Sequence, residues 1–196
     1  MIHILEVLTA LGLAAAGGLR TSLALMILAI AANAGYSENN ALTQLITTPL
    51  GITVLGVWCV FELVATKTAL GQRLVQALQF FIAPVTGAMI ASAFSGEIGM
   101  VPQILVGFAG AALAATLQAV YMGYFFRRGR AEAPVQLLQE GLCGILVLLA
   151  LATPVIAGFA VFGLLWIVLQ QSYSWRKHFN RPGTGVALVR NSYSQS

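Results

Sequence analysis

The chain is a series of long apolar runs separated by short polar segments. The runs cover about residues 4–34, 51–66, 74–94 and 102–126, followed by a longer apolar stretch at 134–171. None of them alternates apolar and polar residues with the period of two that a membrane β-strand shows. A helix needs about 20 apolar residues to cross a bilayer. The pattern therefore predicts an all-α fold, a polytopic transmembrane helical bundle.

The number of crossings depends on residues 134–171, which are barely enough for two helices with a tight turn at Thr153 and Pro154. With six spans and the amino terminus inside, nine basic residues lie on the cytoplasmic side, in agreement with the positive-inside rule. These residues are Lys67, Arg73, Arg127, Arg128, Arg130, Arg176, Lys177, Arg181 and Arg190. A single crossing would place the last four outside. We therefore expect six spans in a bacterial inner membrane, of the plasma or thylakoid type, with both termini cytoplasmic.

Six spans divide into two halves, about 1–97 and 98–172, followed by a polar cytoplasmic tail at 173–196. The segment that begins at Gly12 matches the segment that begins at Gly107 at five of thirteen positions, although helices rich in Ala and Gly also match by chance. Three spans per half place two copies in opposite orientations, as in many secondary transporters. This pattern predicts an inverted three-plus-three repeat.

The first apolar run is interrupted near its centre by Gly17, Gly18 and Arg20. An Arg in the bilayer core costs roughly 2.5 to 3.5 kcal/mol even on insertion scales, so such a residue normally has a function or a partner. The two glycines predict a broken helix beside it. Because inverted-repeat transporters bind their substrates near the midplane at broken helices, we expect the substrate site here.

Three further ionisable residues are candidates for an ion pair or for coupling. Glu62 is the first candidate partner of Arg20, Glu140 is the second, and Lys67 is either a coupling residue or an interfacial anchor. The ion pair either fixes helix packing or belongs to a transport pathway.

Several polar residues at middle depth either line a cavity or form hydrogen bonds within and between helices. With the residues around the break, they complete the candidate substrate-binding set of Arg20, Gly17, Gly18, Thr21, Thr116 and Gln118. Pro84 and Pro154 predict helix kinks, although both are also compatible with a packing role.

The composition excludes several classes of function. The chain is 59% hydrophobic and 8% charged, and its net charge is +4. The basic residues behind this charge lie between spans and in the tail, so they indicate membrane topology and do not suggest nucleic-acid binding. Cys59 and Cys143 lie in apolar runs and suggest no disulfide.

No His, Cys, Asp or Glu cluster has metal-ligand spacing, so we expect neither a metal nor a cofactor. Because no hydrolase, protease or phosphate-loop motif is present, we do not expect an enzyme.

Three short motifs resemble an uncharacterised family of small multi-pass bacterial membrane proteins that carries a domain-of-unknown-function label. They are GLR at 18–20, FELVATK at 61–67 with its E-x4-K spacing, and PVTGA at 84–88. A basic segment, Pro134 and Glu140 extend the resemblance, which covers about residues 5–160. The resemblance implies the multi-span architecture and the importance of Arg20, Glu62 and Lys67, and it brings no substrate.

These features favour a small transporter or permeation protein for an anionic solute or an anionic lipid headgroup that approaches Arg20. The alternative is an accessory subunit that packs against lipid, pigment or a larger membrane complex, with Arg20 purely structural. The expected partners are the lipid bilayer and either a second copy of the chain or a larger membrane complex. A polar, water-accessible cavity at Arg20 would favour transport, and a sealed ion pair would favour the accessory role.

Overall fold

The computed structural model describes residues 2–37, 40–96, 99–128 and 133–179, which form eight helices. They are α1 (Ile2–Leu19), α2 (Thr21–Asn33), α3 (Ala41–Thr47), α4 (Pro49–Ala65), α5 (Ala69–Ala93), α6 (Met100–Arg128), α7 (Ala133–Ala152) and α8 (Pro154–Phe179). The described residues contain no strand, and the all-α prediction is confirmed.

Three of the described helices are long and apolar enough to cross a bilayer. They are Leu70–Ala93 in α5, Met100–Gly123 in α6 and Val135–Ala152 in α7. Helices α3 and α4 form a fourth candidate if they count as one span, with a bend of 75° between them. The apolar parts of α1, α2 and α8 are shorter. The described helices therefore agree with a multi-span membrane protein but provide three or four candidate crossings by this measure, where the sequence predicts six.

The first apolar run is broken, but the break lies at Arg20 and not at the glycines. Arg20 has φ −147° and ψ 100°, an extended conformation between α1 and α2. Gly17 and Gly18 lie inside α1, where they permit close packing. A Cβ atom at Gly18 would lie 2.5 Å from Cα of Ala114 in α6. The glycines therefore position the helix that carries Arg20 and do not form the break.

The two prolines do not interrupt helices. Helix α5 continues through Pro84 from Ala69 to Ala93. Pro154 is the first residue of α8, where its missing N–H is not needed by the helix. The chain leaves the helical conformation at Thr153, between α7 and α8, where the sequence also predicts a tight turn.

Helix α1 packs against α5, α6, α7 and α8 and forms the centre of the bundle. Its small residues Ala10, Ala14, Ala15 and Ala16 are completely buried, so neighbouring backbones approach closely. Most large apolar side chains of the outer helices are exposed, as expected of surfaces that face lipid.

Contacts along α1 give the directions of its neighbours. Gly110 lies against Ala14 and Gly18 against Ala114, so α1 and α6 run parallel. Gln139, near the start of α7, reaches the end of α1, whereas Ala150 lies beside Gly12; α7 therefore runs antiparallel to α1.

The parallel packing of α1 and α6 does not fit the expected inverted repeat. That repeat matches residues from Gly12 onward with residues from Gly107 onward, and inversion requires the two segments to cross in opposite directions. In the structure they lie side by side and point the same way. The sequence match arises where both helices use small residues at their mutual contact.

The bundle has two distinct ends. At one end the carboxylate of Glu6 in α1 lies against Gly96, at the turn between α5 and α6. The other end, called here the basic end, holds Arg20, the α4–α5 turn with exposed Lys67, and the last turn of α6. Helix α8 extends to Phe179 and includes the start of the predicted tail; the remainder of the tail, 180–196, lies outside the described residues.

Candidate functional site

Both glutamates that the sequence proposes as partners of Arg20 lie within 4 Å of it. Arg20 Nη2 donates a hydrogen bond of 2.9 Å to Oε1 of Glu140. Arg20 Nη1 lies 3.9 Å from Oε2 of Glu62, which is an ion pair without a hydrogen bond. Glu140, the second candidate in the sequence, is therefore the closer partner. With all three groups ionised, one positive and two negative charges sum to −1.

Glu62 is a hydrogen-bond acceptor for three other side chains and is 1% exposed. Its Oε2 accepts from Ser22 Oγ at 2.5 Å, and its Oε1 accepts from Trp58 Nε1 at 2.7 Å and from Gln79 Nε2 at 3.0 Å. A buried carboxylate is tolerated where donors of this kind replace water. Glu62 thereby joins α4 to α2 and α5.

Side chains satisfy the carbonyl groups that the break in the first run leaves open. Thr21 Oγ1 donates to the carbonyl oxygen of Gly17 at 3.0 Å, and Gln139 Nε2 donates to that of Leu19. The carbonyl oxygen of Ala16 still accepts from the backbone N–H of Arg20, and Cys143 Sγ lies 3.4 Å from it. The extended residue Arg20 is thus held by polar groups from α2 and α7, because carbonyls freed from a helix in an apolar interior need donors.

A narrow cavity, partly open to the exterior and with room inside for about one water molecule, lies beside Arg20 at the basic end. Amide side chains from α5 and α7 form most of its wall. The lining residues are Arg20, Thr66, Gln72, Val75, Gln76, Gln79, Tyr121, Gln136 and Gln139. The amide groups in this wall can form hydrogen bonds with water or a small polar solute.

Two buried carbonyl oxygens in this wall, Gln72 Oε1 and Gln76 Oε1, have no hydrogen-bond partner among the described residues. Gln72 is 3% exposed and Gln76 is 5% exposed. A buried acceptor without a donor costs about 1 to 3 kcal/mol, so each oxygen is suited to accept a hydrogen bond from water or a solute in the cavity.

The other predicted site residues lie in different places. Gln118 is buried and its Nε2 lies 3.4 Å from Oε1 of Gln79, which connects it to the Glu62 cluster. Thr116 is exposed on α6 and donates to the carbonyl oxygen of Leu113, so the structure does not bring it to the site. Lys67 is exposed in the α4–α5 turn, as an interfacial anchor would be.

The sequence analysis missed the glutamines, although their spacing carries a signal. Gln72, Gln76 and Gln79 lie at positions i, i+4 and i+7, which places them on one face of α5. Gln136 and Gln139 precede Glu140 with the same kind of spacing on α7. Two glutamine-rich faces in apolar helices predict a polar lumen between them.

The site offers hydrogen bonding and charge, and the described residues contain no group of three His, Cys, Asp or Glu side chains able to hold a metal ion. Neither a curated protein nor a solved structure matches the chain. The profile of one family, described as "Domain of unknown function (DUF4126)", matches residues 7–173. This match covers the whole of the Arg20 cluster and its cavity. The resemblance found in the short motifs is thereby confirmed, and the chain belongs to this family of unknown function.

Proposed function

We propose that this chain is a small integral membrane protein that carries or admits a small polar solute across the bilayer through the cavity beside Arg20. The observation that carries this proposal is the cavity itself, with its polar lining and its two unpartnered amide oxygens. A purely structural ion pair needs only its own partners, whereas these oxygens are open to a donor from water or a solute.

The cavity does not continue toward the opposite end of the bundle as an open channel. Past the Arg20 cluster, α1, α5 and α6 meet through Gly18, Gly87 and Gly110, where added Cβ atoms would collide with neighbouring helices. Close packing of this kind leaves no room for a solute. Passage therefore requires a movement of these helices, so we favour alternating exposure of the site over a permanent pore.

The expectation of an anionic solute or an anionic lipid headgroup stays a prediction. Two carboxylates already lie beside Arg20, and they would repel an approaching anion. Carbonyl oxygens in the cavity wall add to that repulsion. Charge therefore favours a different substrate class at this site.

The proposal places the chain in a bacterial inner membrane with the basic end in the cytoplasm. It has an odd number of crossings, five if α3 with α4 forms one span and the α1–α2 pair does not cross, where the sequence predicts six. Lys67 and Arg73, together with the last turn of α6, lie at this end, which the positive-inside rule assigns to the cytoplasm. Because Glu6 lies at the opposite end, the amino terminus would then be outside. This differs from the sequence-based expectation for the amino terminus, while the basic tail still favours a cytoplasmic carboxyl terminus.

The test is the accessibility of a cysteine at Gln76 to a membrane-impermeant methanethiosulfonate in oriented membrane vesicles. The background carries Cys59→Ala and keeps Cys143, which is completely buried. Gln76→Cys should react from the basic side, whereas Phe81→Cys, 74% exposed on the lipid-facing surface of α5, should not. Alternating exposure also predicts slower labelling of Gln76→Cys from the other side.

Labelling from the basic side alone would favour the accessory role over transport. No labelling from either side would contradict the water-filled cavity and with it the proposed function. One observation supports the accessory alternative: α4 buries a single residue, Glu62, and exposes apolar side chains such as Val54, Val57 and Val60 along its length. Such a face suits lipid, a second copy of the chain or another membrane subunit.

A further inference from the structure

The hydrogen-bonding groups that remain open in the cavity define the chemistry of its ligand, provided that the proposed function holds. On the α5 wall these groups are acceptors. Gln72 Nε2 donates to the carbonyl oxygen of Thr66 at 2.8 Å, which leaves Gln72 Oε1 without a donor. Gln76 Oε1 lies one turn further along the same face and also lacks a partner among the described residues.

On the opposite wall the open groups are donors. The guanidinium of Arg20 has five N–H groups, of which Nη2 makes the hydrogen bond to Glu140. Nη1 is 3.9 Å from Glu62, which is too far for a hydrogen bond. Among the described residues, Arg20 therefore keeps N–H groups for a ligand in the cavity that it lines.

Charge excludes strongly ionic ligands from this position. A cation would meet the guanidinium of Arg20 in the cavity wall. An anion would meet the two amide oxygens, with Glu62 and Glu140 directly behind Arg20. A neutral molecule avoids both penalties.

We propose that the cavity binds a small uncharged solute that has a carbonyl or hydroxyl oxygen for Arg20 and N–H or O–H donors for Gln72 and Gln76. Small carboxamides, urea and short polyols share this chemistry. The cavity encloses little more space than one water molecule needs and is partly open to the exterior, which limits the ligand to a few non-hydrogen atoms.

The experiment measures equilibrium binding of radiolabelled urea, acetamide and glycerol to the full chain in lipid nanodiscs, with methylammonium and formate as charged probes of similar size. At least one neutral probe should bind saturably, and neither charged probe should compete at equal concentration. The preferred neutral probe distinguishes an amide ligand from a polyol. Gln76→Met, which removes the open oxygen at similar side-chain volume, should weaken binding about tenfold. Gln44→Leu, an exposed glutamine on α3, should not change it.

Preferential binding of methylammonium or formate would overturn the inference but leave the proposed function intact. Absence of saturable binding by every probe would mean that the cavity holds water only, which also overturns the inference. If Gln76→Met does not fold, the probe specificity of the unmodified chain still decides the question. Labelling of Gln76→Cys tests the proposed function independently, so the failures of the two proposals are distinguishable.

Discussion

Arg20 is stabilised by unequal partners, and this inequality predicts how substitutions will act. Glu140 makes the direct hydrogen bond but is partly exposed, whereas Glu62 is fully buried and accepts from three other side chains. Removing Arg20 would leave Glu62 with its neutral donors and would leave Glu140 without an ion-pair partner among the described residues.

A double-mutant cycle tests this inequality. Arg20→Met and Glu140→Gln should show a coupling energy of roughly 0.5 to 3 kcal/mol, larger than the coupling between Arg20→Met and Glu62→Gln. Glu62→Gln alone should destabilise by roughly 3 to 5 kcal/mol, because an amide N–H₂ replaces an oxygen that faces donors. Unfolding of the purified chain in mixed micelles measures all of these variants. Additive effects for Arg20 and Glu140 would contradict the assignment of the closer partner.

Among single residues of the site, the ionisable ones can be predicted from the sequence more readily than the neutral polar ones. Arg20, Glu62 and Glu140 can be recognised because charge is rare and costly in a bilayer. Which glutamate lies closer depends on side-chain direction, which the order of residues does not determine. Thr116 looks equivalent to Gln118 by depth, yet the two lie on different faces of α6.

At the scale of elements, the crossing of α1 and α6 depends on a glycine. The hydrogen of Gly18 faces the backbone of Ala114, where a Cβ atom would lie 2.5 Å from Cα. No rotation of a side chain relieves that collision, so the helices must separate.

We therefore expect Gly18→Ala to destabilise the protein by about 1 to 3 kcal/mol, despite the better helix propensity of Ala. Gly56→Ala in α4 is the matched control, because nothing lies within 4 Å of its added Cβ. That variant should be neutral or stabilising by up to about 1 kcal/mol. The measurement is the thermal unfolding midpoint in detergent. Equal midpoints for the two variants would show that α1 and α6 do not touch at Gly18.

Most helices are predictable from the pattern of apolar runs, since each run between polar segments becomes one helix or a broken pair. The break at Arg20 is less predictable. Glycine and an extended residue both interrupt a helical pattern in sequence, but here the glycines are needed for packing. The α3–α4 bend begins at Thr48 and Pro49, where the sequence does mark a helix start.

At the scale of the whole molecule, the two ends of the bundle carry different groups, and this difference predicts an orientation in the membrane. The sequence places the amino terminus on the side of the basic connections by counting spans. The structure instead places Glu6 beside Gly96, at the end opposite Lys67. The two placements differ because counting spans treats α1 and α2 as a single crossing.

Single-cysteine labelling in oriented membranes tests the orientation. In the Cys59→Ala background, His3→Cys should react with an impermeant reagent from outside the cell, and Lys67→Cys should react from inside. Arg128→Cys provides a second position at the inner face. Labelling of positions 3 and 67 from the same side would contradict both the proposed orientation and the packing of α1 against the α5–α6 turn.

Helix α4 touches the rest of the protein through few of its own side chains, and Glu62 is its only buried residue. A helix with so little buried surface relies on the surrounding lipid for much of its support. Extraction into a detergent that replaces this lipid poorly will therefore loosen α4 before the centre of the bundle. Movement of α4 also moves the Glu62 carboxylate away from Arg20. A change in the bilayer that loosens α4 therefore also changes the charge balance of the Arg20 cluster.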